Sequence, residues 1–295
     1  MKNFSTTFPL LSRDFSLNLD GRRISVTEPL VMGILNATPD SFYQASRHPD
    51  PADAVRVARE MLEQGARLLD VGAASARPGA ETISEEEELN RLFPVMEALR
   101  KELPDAFISL DTWRSGVVRK IHEAFRVDMV NDISAGQQDP DILQTVAGFG
   151  IPYIMMHMQG TPEEMQEDPR YEQVTDDLLQ FFGARVHQLR KMGVNDILID
   201  PGFGFGKTRA QNYQLLRELD AFQILELPIV VGISRKSMIY KTLDCSPEEA
   251  LNGTTAAHMA ALMNGANILR VHDVRAAMEA VKIFLQIVNT PSSAV

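Results

Sequence analysis

Ile197-Leu198-Ile199-Asp200-Pro201-Gly202-Phe203-Gly204-Phe205-Gly206-Lys207 is a short apolar run that ends in a carboxylate, is stopped by proline, and opens into glycines alternating with phenylalanines. Apolar runs of this length, bounded by Gly and Pro, read as buried strands. Asp200 therefore stands where a buried strand becomes a loop, and a charge there needs a partner. The glycines let the backbone approach a ligand closely, and Phe203 and Phe205 offer flat faces. A carboxylate beside two aromatics in a tight loop suits a flat heterocycle carrying N–H donors; the competing reading is a plain turn. Two phosphate motifs are excluded. A P-loop needs four residues between its first Gly and Gly-Lys-Ser/Thr, whereas Gly202 to Gly206 leaves three. The dinucleotide fingerprint G-x-G-x-x-G is replaced here by G-x-G-x-G.

The same strand-then-helix unit recurs in both directions from this loop. Apolar strands are predicted at 30–36, 67–72, 106–111, 128–133, 152–157, 197–200, 228–233 and 267–272. Helices follow near 51–64, 84–102, 115–124, 140–148, 171–192, 210–220 and 274–287. Ser84 with Glu87 forms a capping box for the second helix. Ser246-Pro247-Glu-Glu opens the helix of the seventh unit, with Ser as N-cap and Pro in the first turn. Eight such units, at ~30 residues each, specify a (β/α)₈ TIM barrel, with a doubly wound open sheet as runner-up. Ahead of them, residues 15–26 alternate apolar and polar around Asp20-Gly21, a hairpin placed to cap the barrel bottom. The expected organisation is an N-terminal segment, 1–29, bearing this β-hairpin, and one barrel domain, 30–295.

Composition narrows the function. A net charge of −11 and a pI near 5.1 argue against a nucleic-acid surface. Cys245 is the single cysteine, so no intrachain disulfide forms and a reducing cytoplasm fits. No signal peptide is visible, and no apolar run approaches the ~20 residues needed to span a bilayer. A soluble, cytoplasmic protein is expected.

The active site of such a barrel lies at the C-terminal ends of its strands. Those ends carry Asn36, Asp70, Asp111, Asn131 with Asp132, His157, Asp200, Ser234-Arg235-Lys236, and Arg270 with His272. Asp111, Asn131 and Asp200 suit the amino and N–H edge of a heterocycle. Arg235, Lys236, Arg270 and Arg77 suit an anion, with His272 on the same face as Arg270. The pattern fits a substrate with a neutral ring at one end and phosphate at the other. Other residues carry plainer readings. Asp70 is as well read as a pairing residue within the barrel. One of Asn131 and Asp132 is structural, because neighbours in a strand face opposite sides. His157, in a Met-rich run, reads as a packed histidine. His122-Glu123 lacks the second His of a zinc-protease motif. The Glu85 to Glu88 run favours a helix N-terminus.

With these residues placed, the chain resembles the dihydropteroate synthase family from Leu30 to His272. The matching stretches are Gly33-Ile-Leu-Asn-Ala-Thr-Pro-Asp-Ser-Phe42, Asp70-Val-Gly, Arg77-Pro-Gly, Ser109-Leu-Asp-Thr112, Val130-Asn-Asp-Ile133, Met156-His-Met-Gln-Gly-Thr-Pro162, Asp200 to Lys207, Gly232-Ile-Ser-Arg-Lys-Ser237 and Arg270-Val-His272. The resemblance implies a (β/α)₈ barrel, often dimeric, that joins p-aminobenzoate to 6-hydroxymethyl-7,8-dihydropterin diphosphate, releases diphosphate with the help of Mg²⁺, and is a sulfonamide target. It implies pterin-ring contacts from Asp111, Asn131 and Asp200, with Lys236 reaching the same pocket, and further substrate contacts from Ile133, Met156 and Gly204. Arg270 and His272 would bind the diphosphate, and Asn36 would lie by the metal. Phe205, Lys236 and Ser237 would form the p-aminobenzoate pocket, with Arg77 in the mobile second loop. Asp200, Lys236, Arg270, His272 and Arg77 would carry catalysis, by an SN1-like course.

Two stretches depart from the family pattern. Tyr43-Gln44-Ala45-Ser46 stands where an Asp-Gly-Gly turn is common, and Ala73-Ala74-Ser75-Ala76 where Gly-Glu-Ser-Thr is common. Two other readings compete with the synthase. A pterin-dependent methyltransferase barrel would have no use for the cationic strand ends. A non-catalytic pterin-binding barrel draws on the altered second loop.

Overall fold

A computed structural model describes residues 15–19, 21–37, 50–73, 82–161, 165 and 169–290. A hairpin, β1 (Phe15–Leu19) and β2 (Arg22–Val26), precedes eight parallel strands: β3 (Leu30–Asn36), β4 (Leu68–Gly72), β5 (Ile108–Asp111), β6 (Met129–Asp132), β7 (Tyr153–Met156), β8 (Ile197–Asp200), β9 (Val230–Val231) and β10 (Ile268–Val271). Their order is β8-β7-β6-β5-β4-β3-β10-β9, and an isolated bridge from Ile199 to Ile229 joins the two ends. The sheet is therefore a nearly closed barrel, as the recurring unit predicts, and the doubly wound sheet is excluded.

The surrounding helices are α1 (Pro51–Glu63), α2 (Glu85–Glu102), α3 (Ser115–Phe125), α4 (Asp141–Phe149), α5 (Val174–Lys191), α6 (Arg209–Arg217), α7 (Ser237–Tyr240), α8 (Leu251–Met263) and α9 (Val274–Asn289), with a 3₁₀ segment at Leu219–Leu225. Outward strand residues such as Leu35, Val71, Leu110, Val130 and Ile199 pack beneath them in one apolar layer. Two local readings are refined. Ser84 does accept from the Glu87 N–H, at 3.1 Å, but the Glu87 side chain turns to Arg91 at 2.7 Å. Glu88, from the same acidic run, is buried and pairs with Arg114. The Ser246 cap is a correction: α8 begins at Leu251, and 247–250 form turns. The Arg235 guanidinium takes the carbonyls of Pro247 (2.8 Å) and Glu248 (2.5 Å), so neither can accept an intrahelical bond as well as it otherwise would.

The hairpin caps the barrel bottom. Leu17, Leu19, Ile24 and Val26 pack against the lowest inward-facing residues: Met32, Leu68, Phe107, Met129, Ile154, Leu198, Val230 and Ile268. Asp20 lies outside the described residues; beside it Gly21 takes φ +80°, and its N–H donates to Asn18 Oδ1 at 2.9 Å. Arg22 latches the hairpin to the barrel by donating to Asp128 at 2.9 Å, and its guanidinium stacks on Phe107. This apolar plug leaves only the upper lumen for a ligand. Leu19→Ala should lower stability by about 2–5 kcal/mol, the cost of a fully buried leucine, read from the urea midpoint. A loss below about 1 kcal/mol would mean that the hairpin is not part of the core.

Candidate active site

Strand parity decides which strand-end residues meet. Counting by twos from the inward residues at the bottom, the lumen receives Asn36, Asp70, Asp111, Asn131, Met156, Asp200 and Arg270. Asn131 thus faces in. Asp132 faces out and is fully engaged, accepting from Tyr153 Oη (2.6 Å), Ser134 N and Oγ (2.7 Å each) and Gly136 N (2.7 Å). It is the structural member of the pair. His157 is the packed histidine: its ring lies edge-on to Phe181, and burial, then Lys207, lowers its pKa to about 2.

In the lumen the acids and cations interlock rather than forming separate halves. Arg270 starts a tier below Asp70, in register with Met32, and its side chain reaches upward. Its Nε donates to Asp70 at 2.6 Å and its Nη2 to Asp111 at 2.6 Å. Asp70 also accepts from the Asn131 amide at 2.9 Å. Burial alone would lower the Arg270 pKa, but Asp70 and Asp111 together raise it. Burial raises Asp111, against the pull of Arg270.

Across the lumen, Asp200 accepts from the Gly202 N–H at 2.7 Å, and burial, opposed by Lys236, raises its pKa. Lys236 Nζ donates to the Phe203 carbonyl at 2.6 Å and sits 4.4 Å from the centre of the Phe205 ring. Burial lowers this ammonium to about 8, against Asp200, which raises it. Gly232 sits between these groups. A Cβ there would meet Asp200 Oδ2 at 3.6 Å, Lys236 Nζ at 3.8 Å and Arg270 Cδ at 3.9 Å, so the missing side chain leaves the floor open. Beside this polar floor is an apolar patch of Ile133, Met156, Met158, Met165 and Phe205, with Trp113 against it.

Not all expected residues converge. Arg235 is pinned by Asp273 at 2.7 and 2.9 Å and by two carbonyls, so it is corrected from an anion-binding cation to a structural one. His272 is exposed and shares a 3.2 Å contact with Ser234 Oγ. Ser237 begins the short α7, and Gly204, whose N–H donates to Asn212 at 2.7 Å, stands beside the aliphatic stem of Lys236. Arg77, both departing stretches apart from Ala73, residues 38–42 of the first matching stretch, and Pro162 lie outside the described residues. Among the described residues there is no cluster of three or more His, Cys, Asp or Glu suited to a metal. Asn36 offers one amide oxygen on the lumen face of β3. Mg²⁺ keeps several waters and takes substrate phosphates with few protein oxygens, so this donor set fits an ion that arrives on a diphosphate.

Lys207 was the least legible residue. It is 2% exposed, and its ammonium donates to the carbonyls of Phe205 (2.9 Å), Gly202 (3.0 Å) and His157 (3.1 Å) and contacts His157 Nδ1 at 3.1 Å. It fastens the loop that carries Phe203 and Phe205. Gly202 is required there: at φ +70°, a Cβ would lie 2.0 Å from the His157 carbonyl oxygen.

A (β/α)₈ barrel with acids, cations and an apolar ledge at its strand ends defines a class of ligand-binding barrel enzyme. Comparison with known proteins narrows it. Residues 32–272 match the family model described as pterin binding enzyme. The chain is 42% identical to the dihydropteroate synthase of Escherichia coli K12 over 89% of its length and 93% of that protein. It is 45% identical to that of Synechocystis over 86% and 88%. Its fold superposes with TM-score 0.86 on the Yersinia pestis dihydropteroate synthase solved with a sulfonamide drug, at 41% identity, covering 92% and 98% of the two chains. The Xanthomonas albilineans dihydropteroate synthase solved with 4-aminobenzoic acid gives 0.87 at 36% identity, covering 95% and 100%. The chain belongs to the pterin-binding enzymes and, within them, to the dihydropteroate synthases, which are transferases of folate biosynthesis.

Lys207→Met should cost on the order of 3 kcal/mol, because three buried carbonyls lose their donor. The folded pKa, about 7, lies below the ordinary 10.5. The unfolded chain therefore holds the extra proton between these values, and stability rises with pH across that window. Denaturant midpoints measured from pH 7 to 10 should rise less steeply in Lys207→Met; an unchanged slope would mean that Lys207 titrates normally.

Proposed function

We propose that the upper lumen binds 6-hydroxymethyl-7,8-dihydropterin diphosphate and joins its methylene carbon to the amine of p-aminobenzoate, giving 7,8-dihydropteroate and diphosphate. The carrying observation is the convergence of Asp200, Lys236 and Arg270 on the open floor at Gly232, beside the ledge of Ile133, Met156 and Phe205. A flat ring with N–H donors matches the acceptors Asp111, Asn131 and Asp200, and its π face matches the ledge. Gly204, Phe205, Lys236 and Ser237 bound the second substrate, the position a sulfonamide would contest. Arg77 belongs to the second loop on this reading. Residues 30–295 act as one barrel domain, preceded by the N-terminal segment 1–29, whose hairpin is the plug.

The chemistry follows from charge. The ring N–H donors replace Arg270 on Asp111, and the released Nη2 turns to the diphosphate, joined by His272. As the C–O bond breaks, negative charge grows on the diphosphate and is met by Arg270 and His272. Asp200 and the electron-rich dihydropterin support positive charge on the methylene carbon, an SN1-like course. The neutral arylamine then attacks the methylene carbon and gives up a proton to the departing diphosphate. A bound Mg²⁺, with Asn36 as its protein oxygen, would neutralise part of the diphosphate charge. With one half-buried cysteine, the chain is assigned to a reducing cytoplasm. The exposed Ile283 (58%) and Ile287 (45%) on α9, with Ala256 on α8, support a homodimer through this face.

Turnover with both substrates, followed by diphosphate release, tests the activity. Pterin binding without release would reduce the chain to a binding protein. Arg270→Ala should lower kcat at least about 10²-fold, the scale of one lost transition-state donor; a change in stability alone would make it structural. Asp200→Asn should weaken pterin binding strongly, and unchanged affinity would remove its ring-binding role. Lys236 must stay protonated to bring a positive charge to the pocket, so kcat/KM for the pterin should fall above pH of about 8. Lys236→Arg should move that limb upward, and a limb that stays put would belong to another group.

A further inference from the structure

The fully buried Asp70 has no place in the steps above, yet it touches two residues that do. Its Oδ2 accepts from Asn131 Nδ2 at 2.9 Å and from Arg270 Nε at 2.6 Å, while its Oδ1 has no protein hydrogen-bond partner. An asparagine amide facing a carboxylate must present its NH₂, since its oxygen there would oppose an acceptor that has no proton to give. The Asn131 Oδ1 is therefore turned away from Asp70. Asn131 is 4% exposed, in register with Asp111 and on the same lumen face as Asp111 and Asp200.

We infer that Asp70 is a positioning residue of the ring pocket, which locks the Asn131 amide one way round, so that it offers the ring Oδ1 and the one N–H that Asp70 does not take, in a fixed order. This rests on the ring-binding reading of Asn131 given above. With Asn131 locked, Asp111 and Asp200 on β5 and β8 supply acceptors, Asn131 on β6 supplies an acceptor beside one N–H, and further donors come from Lys236 and Arg270. The pocket then favours a ring edge on which an acceptor nitrogen lies beside N–H donors, as on the amino-substituted side of a dihydropterin, and it penalises rings that reverse that order, because buried polar atoms left facing like atoms are costly. The same carboxylate anchors the Nε end of Arg270, so the guanidinium can release Asp111 while keeping its base in place.

The test uses 6-hydroxymethyl-7,8-dihydropterin, which lacks the diphosphate but keeps the ring N–H groups, titrated calorimetrically into the full chain. Asp70→Ala should weaken its binding about tenfold or more, but less than about twofold in an Asn131→Ala background, since coupled neighbours are non-additive. Asp70→Asn, which keeps an oxygen where Oδ2 stands, should stay within about threefold of the native chain. Equal losses in both backgrounds would overturn the inference, because Asp70 would then act on the fold and not through Asn131. Should Asp70→Ala not fold, Asn131→Asp decides. It keeps an oxygen toward the ring but sets two carboxylates together, and it should lose about tenfold or more; binding within twofold of native would overturn the inference. Native binding by Asn131→Ala would instead remove the ring-binding reading itself.

Discussion

Arg270 carries its charge into a lumen whose lower half is filled by Met32, Leu68, Ile154, Leu198 and Ile268, and it is tolerated because Asp70 and Asp111 receive it. A buried guanidinium without such partners would cost several kcal/mol, and so would either carboxylate without the guanidinium. The three groups therefore fix one another. Asp70 extends the constraint to Asn131, and the inward glycine at 232 keeps the space beside them open. On the proposed function, the substrate is then read by groups already oriented, which lowers the cost of ordering them on binding.

The other side of the pocket depends on a second buried cation with a different task. Lys207 satisfies three loop carbonyls, and the loop it fastens presents the Phe203 carbonyl and the Phe205 ring to Lys236. Two lysines from neighbouring units thus divide the work. Lys207 holds the backbone, and Lys236 faces the lumen. Neither role needs a nucleophile, and the chemistry proposed for the site needs none.

Much of this was legible in the sequence, because buried parallel strands are continuous apolar runs and their ends are marked by Gly, Pro or a polar residue. The eight units, the hairpin plug and the strand-end carboxylates Asp111 and Asp200 came from that pattern alone. Parity showed that Asn131 and Asp132 divide, but only the contacts of Asp132 with Tyr153 and Ser134 say which is structural. Arg235 was misread because a charge in sequence says nothing about a partner 38 residues away. Asp70 and Arg270 are 200 residues apart, so no spacing rule joins them. Ser246 carried a valid cap signal that a tertiary contact overrode. Lys207 sits in the very motif that drew attention first, yet its role depends on carbonyls that a sequence does not display.

The central claim is that Asp111 gives up Arg270 to take the ring, while Asp70 keeps it. A crystal structure of the chain with 6-hydroxymethyl-7,8-dihydropterin diphosphate bound tests this most directly. The account predicts Arg270 Nε still within hydrogen-bond distance of Asp70, Nη2 on the diphosphate, and Asp111 on ring N–H groups. A guanidinium that stays on both carboxylates, or one that leaves Asp70, would contradict it.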